Sequence, residues 1–274
     1  MKSRFALFVC AALILLGGDA RAEDSFIVLA STTSVDNSGL LGQILPLFKK
    51  TSGIDVHVVA LGTGQALDTA RRGDADLVLV HDPDAEDLFM KEGHGITRRE
   101  LAWNDFIIVG PKTDPAKLIG GHDVVAGFKN IWNAGAPFVS RGDKSGTDAL
   151  EKRIWKMASL DPTKAGPWFK DIGGGMGAAL NAAAGLDAYT LADRGTWISF
   201  KNRATLIIAL EGDLRLLNRY DVIELDPKLH PKTKLDLAKK FADWLVSKEG
   251  QAAIGAYTLE GEKLFHPEAD AKPT

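Results

Sequence analysis

Short runs of β-forming residues alternate with helical patterns along almost the whole chain, and this alternation constrains the fold more than any other feature. Residues 26–30 read as a buried strand, and 39–50 as an amphipathic helix with Leu40, Leu41, Ile44, Leu45 and Phe48 on its apolar face. Residues 55–61 read as a second strand, 65–72 as a short helix and 76–80 as a third strand. The theme continues with strands at 105–109 and 137–139, a helix at 147–159 and an Ala-rich helix at 176–186. Residues 187–190, 205–209 and 222–225 complete the strands, and 234–246 form a helix with Leu235, Leu237, Phe241 and Leu245 facing inward. Strands alternating with helices at this spacing predict an α/β fold with mainly parallel sheets. No linker or repeat divides the chain, so two lobes would have to be joined by crossing strands. The segments around 105–109 and 220–225 are best placed to cross.

The N-terminus carries a separate instruction. Lys2 and Arg4 precede an apolar run from Phe5 to Leu16, Gly17 and Gly18 break it, and Ala20-Arg21-Ala22 has the small-x-small form of a cleavage site. This is the layout of a secretory signal peptide over residues 1–22. A membrane anchor is the competing reading, but about 20 apolar residues are needed to span a bilayer. The only cysteine, Cys10, lies inside the segment to be removed, and the residues before it do not suit lipidation. The mature chain therefore has no disulfide or thiolate chemistry and rests on its core alone.

The chain carries 33 Lys and Arg against 36 Asp and Glu. Cleavage after Ala22 removes Lys2, Arg4, Arg21 and Asp19, leaving 30 against 35, a net charge of −5. That balance excludes nucleic acid and anionic membrane as natural partners. It leaves a small anion open, because anion sites are built from local amides and one or two cations.

Three segments share one design, a strand followed by a turn of hydroxyl and glycine residues and then a helix. They are Ser31-Thr32-Thr33-Ser34, Gly62-Thr63-Gly64-Gln65 and Ser140-Arg141-Gly142-Asp143-Lys144-Ser145-Gly146-Thr147. Each sets free backbone N–H groups at a helix N-terminus, where the helix dipole also favours an anion. Ordinary N-capping explains any one of them. Three in one chain, one with an arginine whose planar fork suits a doubly charged oxyanion, point to a ligand instead.

These motifs resemble the tungstate-binding periplasmic proteins of ABC importers, within the type II periplasmic-binding-protein superfamily. The matching stretches include Ser31-Thr32-Thr33-Ser34, Gly62-Thr63-Gly64-Gln65-Ala66-Leu67, Asn104-Asp105-Phe106-Ile107-Ile108-Val109-Gly110-Pro111 and the Arg141 loop. Tyr189-Thr190-Leu191-Ala192-Asp193-Arg194-Gly195-Thr196 and residues 238–254 match as well, so the resemblance covers nearly all of the mature chain. It implies two α/β lobes with a ligand cleft between them, lobe 1 formed by residues 23–105 and 221–274 and lobe 2 by 106–220. It implies a ligand shell of Thr32, Thr33, Ser34, Thr63, Gly64, Arg141, Ser145, Gly146 and Thr147, with Thr190 added by inference. It further implies a soluble, monomeric, periplasmic protein that holds tungstate, with molybdate as a second ligand, and docks to a permease subunit without any cofactor or metal-cation site.

Arg141-x-Asp143-x-Ser145-Gly146-Thr147 also resembles the anion loop of phosphate-binding proteins. Tungstate and molybdate accept hydrogen bonds only, whereas hydrogen phosphate carries a proton that needs an acceptor. An Asp143 carboxylate facing the ligand favours phosphate, and one turned onto Arg141 merely holds the guanidinium, so a phosphate- or molybdate-binding protein of the same fold stays open at this point. An oxyanion sensor is a further alternative. Catalysis is not expected: Ser145 lacks a nucleophile elbow, and the six histidines, His57, His81, His94, His122, His230 and His266, show no metal-ligand spacing. His81-Asp82-Pro83-Asp84 reads as a capped turn.

Overall fold

The computed structural model describes residues 25–143 and 145–268. The signal-peptide reading of residues 1–22 falls outside them, as does Lys144. Strand β1 (Phe26–Thr32) leads into α1 (Thr33–Asn37) and α2 (Leu40–Ser52), then β2 (Asp55–Leu61), α3 (Thr63–Arg71), β3 (Leu77–Val80) and α4 (Pro83–Lys91). A long strand, β4 (Gly95–Pro111), is followed by α5 (Val124–Ala134), β5 (Phe138–Ser140), α6 (Gly146–Met157), β6 (Phe169–Asp171) and α7 (Met176–Leu186). The chain closes with β7 (Thr190–Asp193), α8 (Arg194–Ser199), β8 (Leu206–Leu210), β9 (Leu217–Leu225), α9 (Leu235–Leu245), α10 (Lys248–Gly255) and short terminal strands.

Two lobes share one strand. In the first, β2, β1 and β3 run parallel, joined by helical crossovers; β9 pairs antiparallel with β3, and β4 antiparallel with β9. Its sheet is covered on both faces. Ile27, Leu29, Leu77 and Val222 pack with Phe48, Phe241 and Leu245 on one side, and Ala30, Val78 and Ile223 pack with Leu67 and Phe89 on the other. In the second lobe β5 and β6 run parallel, while the far half of β4 pairs antiparallel with β7 and β8. Along β4 the partner changes from β9 to β7 between Asp105 and Phe106. The antiparallel pairing of β9 follows from connectivity, because it returns from the second lobe against the direction of β3 and of the outgoing β4.

Packing in the second lobe fixes the start of α6, which carries the Ser145–Thr147 turn. Trp155, fully buried on α6, sits 4.4 Å from Phe128 of α5 and 5.3 Å from Phe138 of β5, ring centre to ring centre. Burying a side chain of this size contributes about 3 kcal/mol. Among the described residues no helix is long and apolar enough to cross a membrane.

Four sequence expectations shift. Asp82-Pro83 does more than cap a turn: the Asp82 carboxylate receives the Ala85 N–H, with proline at the first helical position, and opens α4. The strand expected at 187–190 starts at Thr190 instead, because Asp187 adopts a left-handed conformation (φ 48°) as the C-cap of α7. The run 238–254 divides at Val246 and Ser247, where the Ser247 hydroxyl accepts the Gly250 N–H and begins α10. Crossing occurs along β4 and through the short 3-10 turn Leu214–Leu216 that precedes β9, so 220–225 itself lies within the first lobe.

Candidate functional site

A cavity of about 500 Å³ opens between the lobes. Thr33 and Ser34 of α1 form one wall, and Arg141 and Thr147 stand on the other. Asn104 and Phe106 of β4 and Asn218 and Tyr220 of β9 form the floor, together with His81 just past β3. Gly175, Met176 and Gly177 at the start of α7, with Asp193 and Thr196 around the start of α8, close the remaining side.

The Arg141 loop is built to aim a guanidinium. Gly142 takes a left-handed conformation (φ 60°), and a Cβ there would overlap the Asp171 carboxylate at 1.6 Å, so only glycine turns the chain between Arg141 and Asp143. Arg141 Nη1 donates to Thr147 Oγ1 at 3.0 Å, and Nη2 to Asp143 Oδ2 at 2.5 Å. The Nε–H is buried and has no hydrogen-bond partner among the described residues. A cation in this pocket with a free donor is matched by an acceptor-only anion, since an unsatisfied buried donor costs about 1–3 kcal/mol.

Asp143 faces its own loop. Oδ2 receives Arg141 and Oδ1 receives the Ser145 N–H at 3.2 Å. Burial pushes its carboxyl up, but the Ser145 hydroxyl and the Arg141 guanidinium outweigh burial and hold it below the usual carboxylate range. Asp193, the carboxylate lining the cavity, is likewise engaged, with Oδ1 on the Thr196 N–H at 2.7 Å and Oδ2 on the Thr196 hydroxyl at 2.8 Å.

On the opposite wall, the Thr32 hydroxyl caps α1 by accepting the Val35 N–H at 3.2 Å, and it lies 3.0 Å from Ser34 Oγ. His81 Nε2 is 2.8 Å from Ser34 Oγ and 3.2 Å from Thr32 Oγ1, while its Nδ1 meets Asn218 Oδ1 at 2.9 Å. Burial lowers the His81 imidazole below its ordinary range, against the Asn218 hydrogen bond that favours its charged form. The fold thus assembles Ser34, His81 and Asn218 in the outline of a nucleophile, base and orienter, a set that could not be assembled from the sequence. The orienter is a neutral amide and cannot stabilise an imidazolium as a carboxylate does, so the arrangement is a poor charge relay.

Of the residues singled out from the sequence, Thr33, Ser34, Arg141 and Thr147 line the cavity. Thr32 lies just behind Ser34 and His81, and Ser145 caps α6 by accepting the Asp148 N–H. Gly146 lines a second cavity, on the far side of His81. Thr63 and Gly64 stand at the start of α3, half-buried and exposed, just after the strand next to the Thr32 turn (Thr32 is in register with Leu61), but they are not among the residues that line the cavity. Thr190 is fully buried at the beginning of β7, the end remote from Asp193, and its hydroxyl has no partner among the described residues. The three-residue shift of β7 puts it there rather than at the cleft.

Sequence reasoning missed His81, Asn104, Asn218 and Tyr220, which come together only because β3, β9 and β4 are neighbours in the sheet. It also missed the start of α7, although Gly173-Gly174-Gly175 before an Ala-rich helix is a readable signal for free N–H groups at a helix N-terminus.

Comparison with known proteins identifies the family and the fold. A family model described as a PBP superfamily domain matches residues 17–249. The tungstate-binding protein TupA of Peptoclostridium acidaminophilum is 41% identical over 275 residues, covering 98% of this chain and 96% of the relative. The solved structure of the tungstate-binding protein TupA from Desulfovibrio alaskensis G20 superposes with a TM-score of 0.85 at 42% identity, covering 90% of this chain and 100% of that one. That of the tungstate ABC transporter from Geobacter sulfurreducens gives 0.75 at 42% identity, over 85% and 98%. With this coverage and identity, the chain belongs to the TupA family of the periplasmic-binding-protein superfamily.

Proposed function

We propose that the mature chain is an extracytoplasmic solute-binding protein that captures tungstate in the inter-lobe cavity and delivers it to the permease of an ABC importer. The observation that carries this reading is that Arg141, whose buried Nε–H has no partner among the described residues, lines the cavity together with the hydroxyl residues Thr33, Ser34 and Thr147. The names borne by relatives at about 40% identity support the same ligand. Residues 1–22 are the exported chain's signal peptide in this reading, and the mature protein is a soluble periplasmic monomer that needs no cofactor. Lobe 1 comprises residues 23–105 and the return segment from β9 onward, and lobe 2 the chain between; the change of β4's partner at Asp105–Phe106 supports the first boundary, and the pairing of Leu217–Tyr220 with β4 moves the second from 220–221 to the turn before β9.

The ligand shell is drawn from Thr32, Thr33, Ser34, Arg141, Ser145, Gly146 and Thr147, with the first N–H groups of α7 added. Hydrogen bonds to a charged group contribute about 1.5–3 kcal/mol each, so about seven supply at least 10 kcal/mol gross. Immobilising the anion and closing the lobes costs about 4 kcal/mol or more. The balance corresponds to a dissociation constant from about micromolar to nanomolar or tighter. An anion held from both walls binds the closed form better and so shifts the hinge equilibrium.

Phosphate is the second reading, and the carboxylates weigh against it. Asp143 and Asp193 are both held by donors of their own turns, Arg141 with the Ser145 N–H and Thr196, so the proton of hydrogen phosphate would have to share a carboxylate that is already engaged on both oxygens. Molybdate, an acceptor-only dianion like tungstate, fits the same shell. Calorimetric titration of the ligand-stripped protein with tungstate, molybdate, sulfate and phosphate decides between them. Tight tungstate binding with phosphate silent is the expected result, and phosphate binding with tungstate silent overturns the assignment.

A further inference from the structure

His81 belongs to no anion turn, yet it touches two of the hydroxyls proposed to bind the ligand. The direction of its hydrogen bonds follows from its neighbours. Asn218 Nδ2 donates to Asn104 Oδ1 at 2.8 Å and to the Tyr220 hydroxyl at 2.7 Å, so its Oδ1 faces His81 and must accept from Nδ1–H. In the neutral imidazole the other nitrogen, Nε2, is then a lone pair, and it can only accept from Ser34 or Thr32.

This fixes a problem for an acceptor-only ligand. The Thr32 oxygen already accepts the Val35 N–H, and its proton has Ser34 Oγ and His81 Nε2 within reach. The Ser34 proton is drawn to Nε2 at 2.8 Å. With the imidazole neutral, both hydroxyl protons are pulled toward one lone pair and away from the cavity. Adding a proton to Nε2 reverses the chain: Nε2–H donates to Ser34 Oγ, and the Ser34 O–H turns outward as a donor.

Resting on the oxyanion reading above, we propose that His81 is a positioning residue that takes up one proton from solvent as the anion binds, turning the Ser34 hydroxyl into a donor aimed at the ligand. The proton forms a new N–H bond at Nε2, and no bond to the anion is made or broken. The imidazolium's charge is offset by the dianion itself.

The surroundings permit the change. Carboxylates near the ring are Asp82, which follows it in the chain, and Asp193 at the end of β7, while Asp84 lines the second cavity. Cations lining the two cavities that flank it are Arg141, Arg153, Arg215 and Arg219. Arg153 is turned onto Asp84 at 2.9 Å, Arg215 onto Asp213 and Asp123, Arg219 onto Glu100 and Arg141 onto Asp143 at 2.5 Å, so among the described residues each of these cations already has a carboxylate partner. The Tyr220 ring lies 5.0 Å away and stays neutral, its phenol pushed up by burial. A Cβ added to Gly146 would lie 3.7 Å from His81 Cε1, so the ring also sits against the turn that follows Arg141.

The test is to count protons. The mature wild-type protein is titrated with sodium tungstate in paired buffers of low and high ionisation enthalpy, from about pH 6 to about pH 8.5. Uptake approaching one proton per anion is expected within this window, with affinity rising up to about tenfold for each pH unit lowered there. His81→Gln, which keeps polar contacts but cannot titrate, should bind more weakly, with uptake near zero and a flat pH profile. A merely structural role for His81 lowers the variant's affinity equally at every pH and leaves the proton count unchanged, which overturns the proposal. Should the variant not fold, ¹⁵N-histidine NMR of the wild type decides. Tungstate should move one imidazole from the neutral to the imidazolium pattern, and no such change refutes the inference. Tungstate binding without proton uptake sinks this inference alone, whereas no tungstate binding at any pH sinks the oxyanion reading with it.

Discussion

Replacing Arg141 tests the site's electrostatics most sharply. The guanidinium has five N–H donors. One meets Thr147 and one meets Asp143, so three remain, and of these the Nε–H and one of the two Nη protons are taken to serve the anion. Two charge-assisted bonds contribute about 3–6 kcal/mol, and since about 1.4 kcal/mol is tenfold in affinity, Arg141→Ala should weaken tungstate binding about 10²- to 10⁴-fold. The upper part of that range is expected, because the alanine variant also leaves Asp143 without its cation beside an incoming dianion. Arg141→Lys keeps the charge but loses the fork and the contact to Thr147, and a loss of about 10- to 100-fold follows. Isothermal titration with tungstate reads both values, and thermal melts of the unliganded variants confirm folding. Affinity within about fivefold of wild type for Arg141→Ala would refute the reasoning.

The loop and the lobe behind it give two further expectations. Gly142→Ala places a methyl group on the Asp171 carboxylate and strains a left-handed residue by about 1–2 kcal/mol, so tungstate affinity should fall at least about tenfold by the same titration, and an unchanged value would show that the loop is not held as described. Glu151, buried on α6 against the Trp155 indole, has its carboxyl raised by burial from 4.5 to about 7. The folded state therefore holds a proton that the unfolded chain releases. That stability is fully present below about 4.5 and lost as pH rises through about 7, amounting to about 3 kcal/mol. Glu151→Gln, which cannot ionise, should match wild type in urea at about pH 4.5 and exceed it at about pH 8. Equal stability at the higher pH contradicts the assignment.

How much of this was legible beforehand depended on whether a feature is local. Strands such as β1 and β3 and the amphipathic α2 are set by runs of apolar residues, and the Thr32–Ser34 and Arg141–Thr147 turns by hydroxyls and glycines within a few positions. These were readable. The start of β7 was not, because nothing in Asp187 announces a left-handed cap, and with that shift Thr190 moved from the cleft to the core. The polar first half of β4, Thr97-Arg98-Arg99-Glu100, shows no strand alternation of its own. It is held by pairing with β9 and by ion pairs such as Arg99 to Glu224 at 2.5 Å. His81, Asn104 and Asn218 lie far apart in the chain and meet only through sheet order. A sequence pattern could not have joined them. The start of α7 could have been found, since a glycine triplet before a helix carries its own meaning.

The central claim is that one oxyanion sits between the Thr32–Ser34 turn and Arg141, and anomalous scattering can locate it directly. Crystals of the mature protein grown with tungstate, measured at a tungsten absorption edge, should show a single strong peak per molecule in the inter-lobe cavity. Its oxygens should lie about 3 Å from Arg141 Nε and from the Ser34 and Thr147 hydroxyls. A peak elsewhere, or none in that cavity under conditions where tungstate binds in solution, would contradict the account.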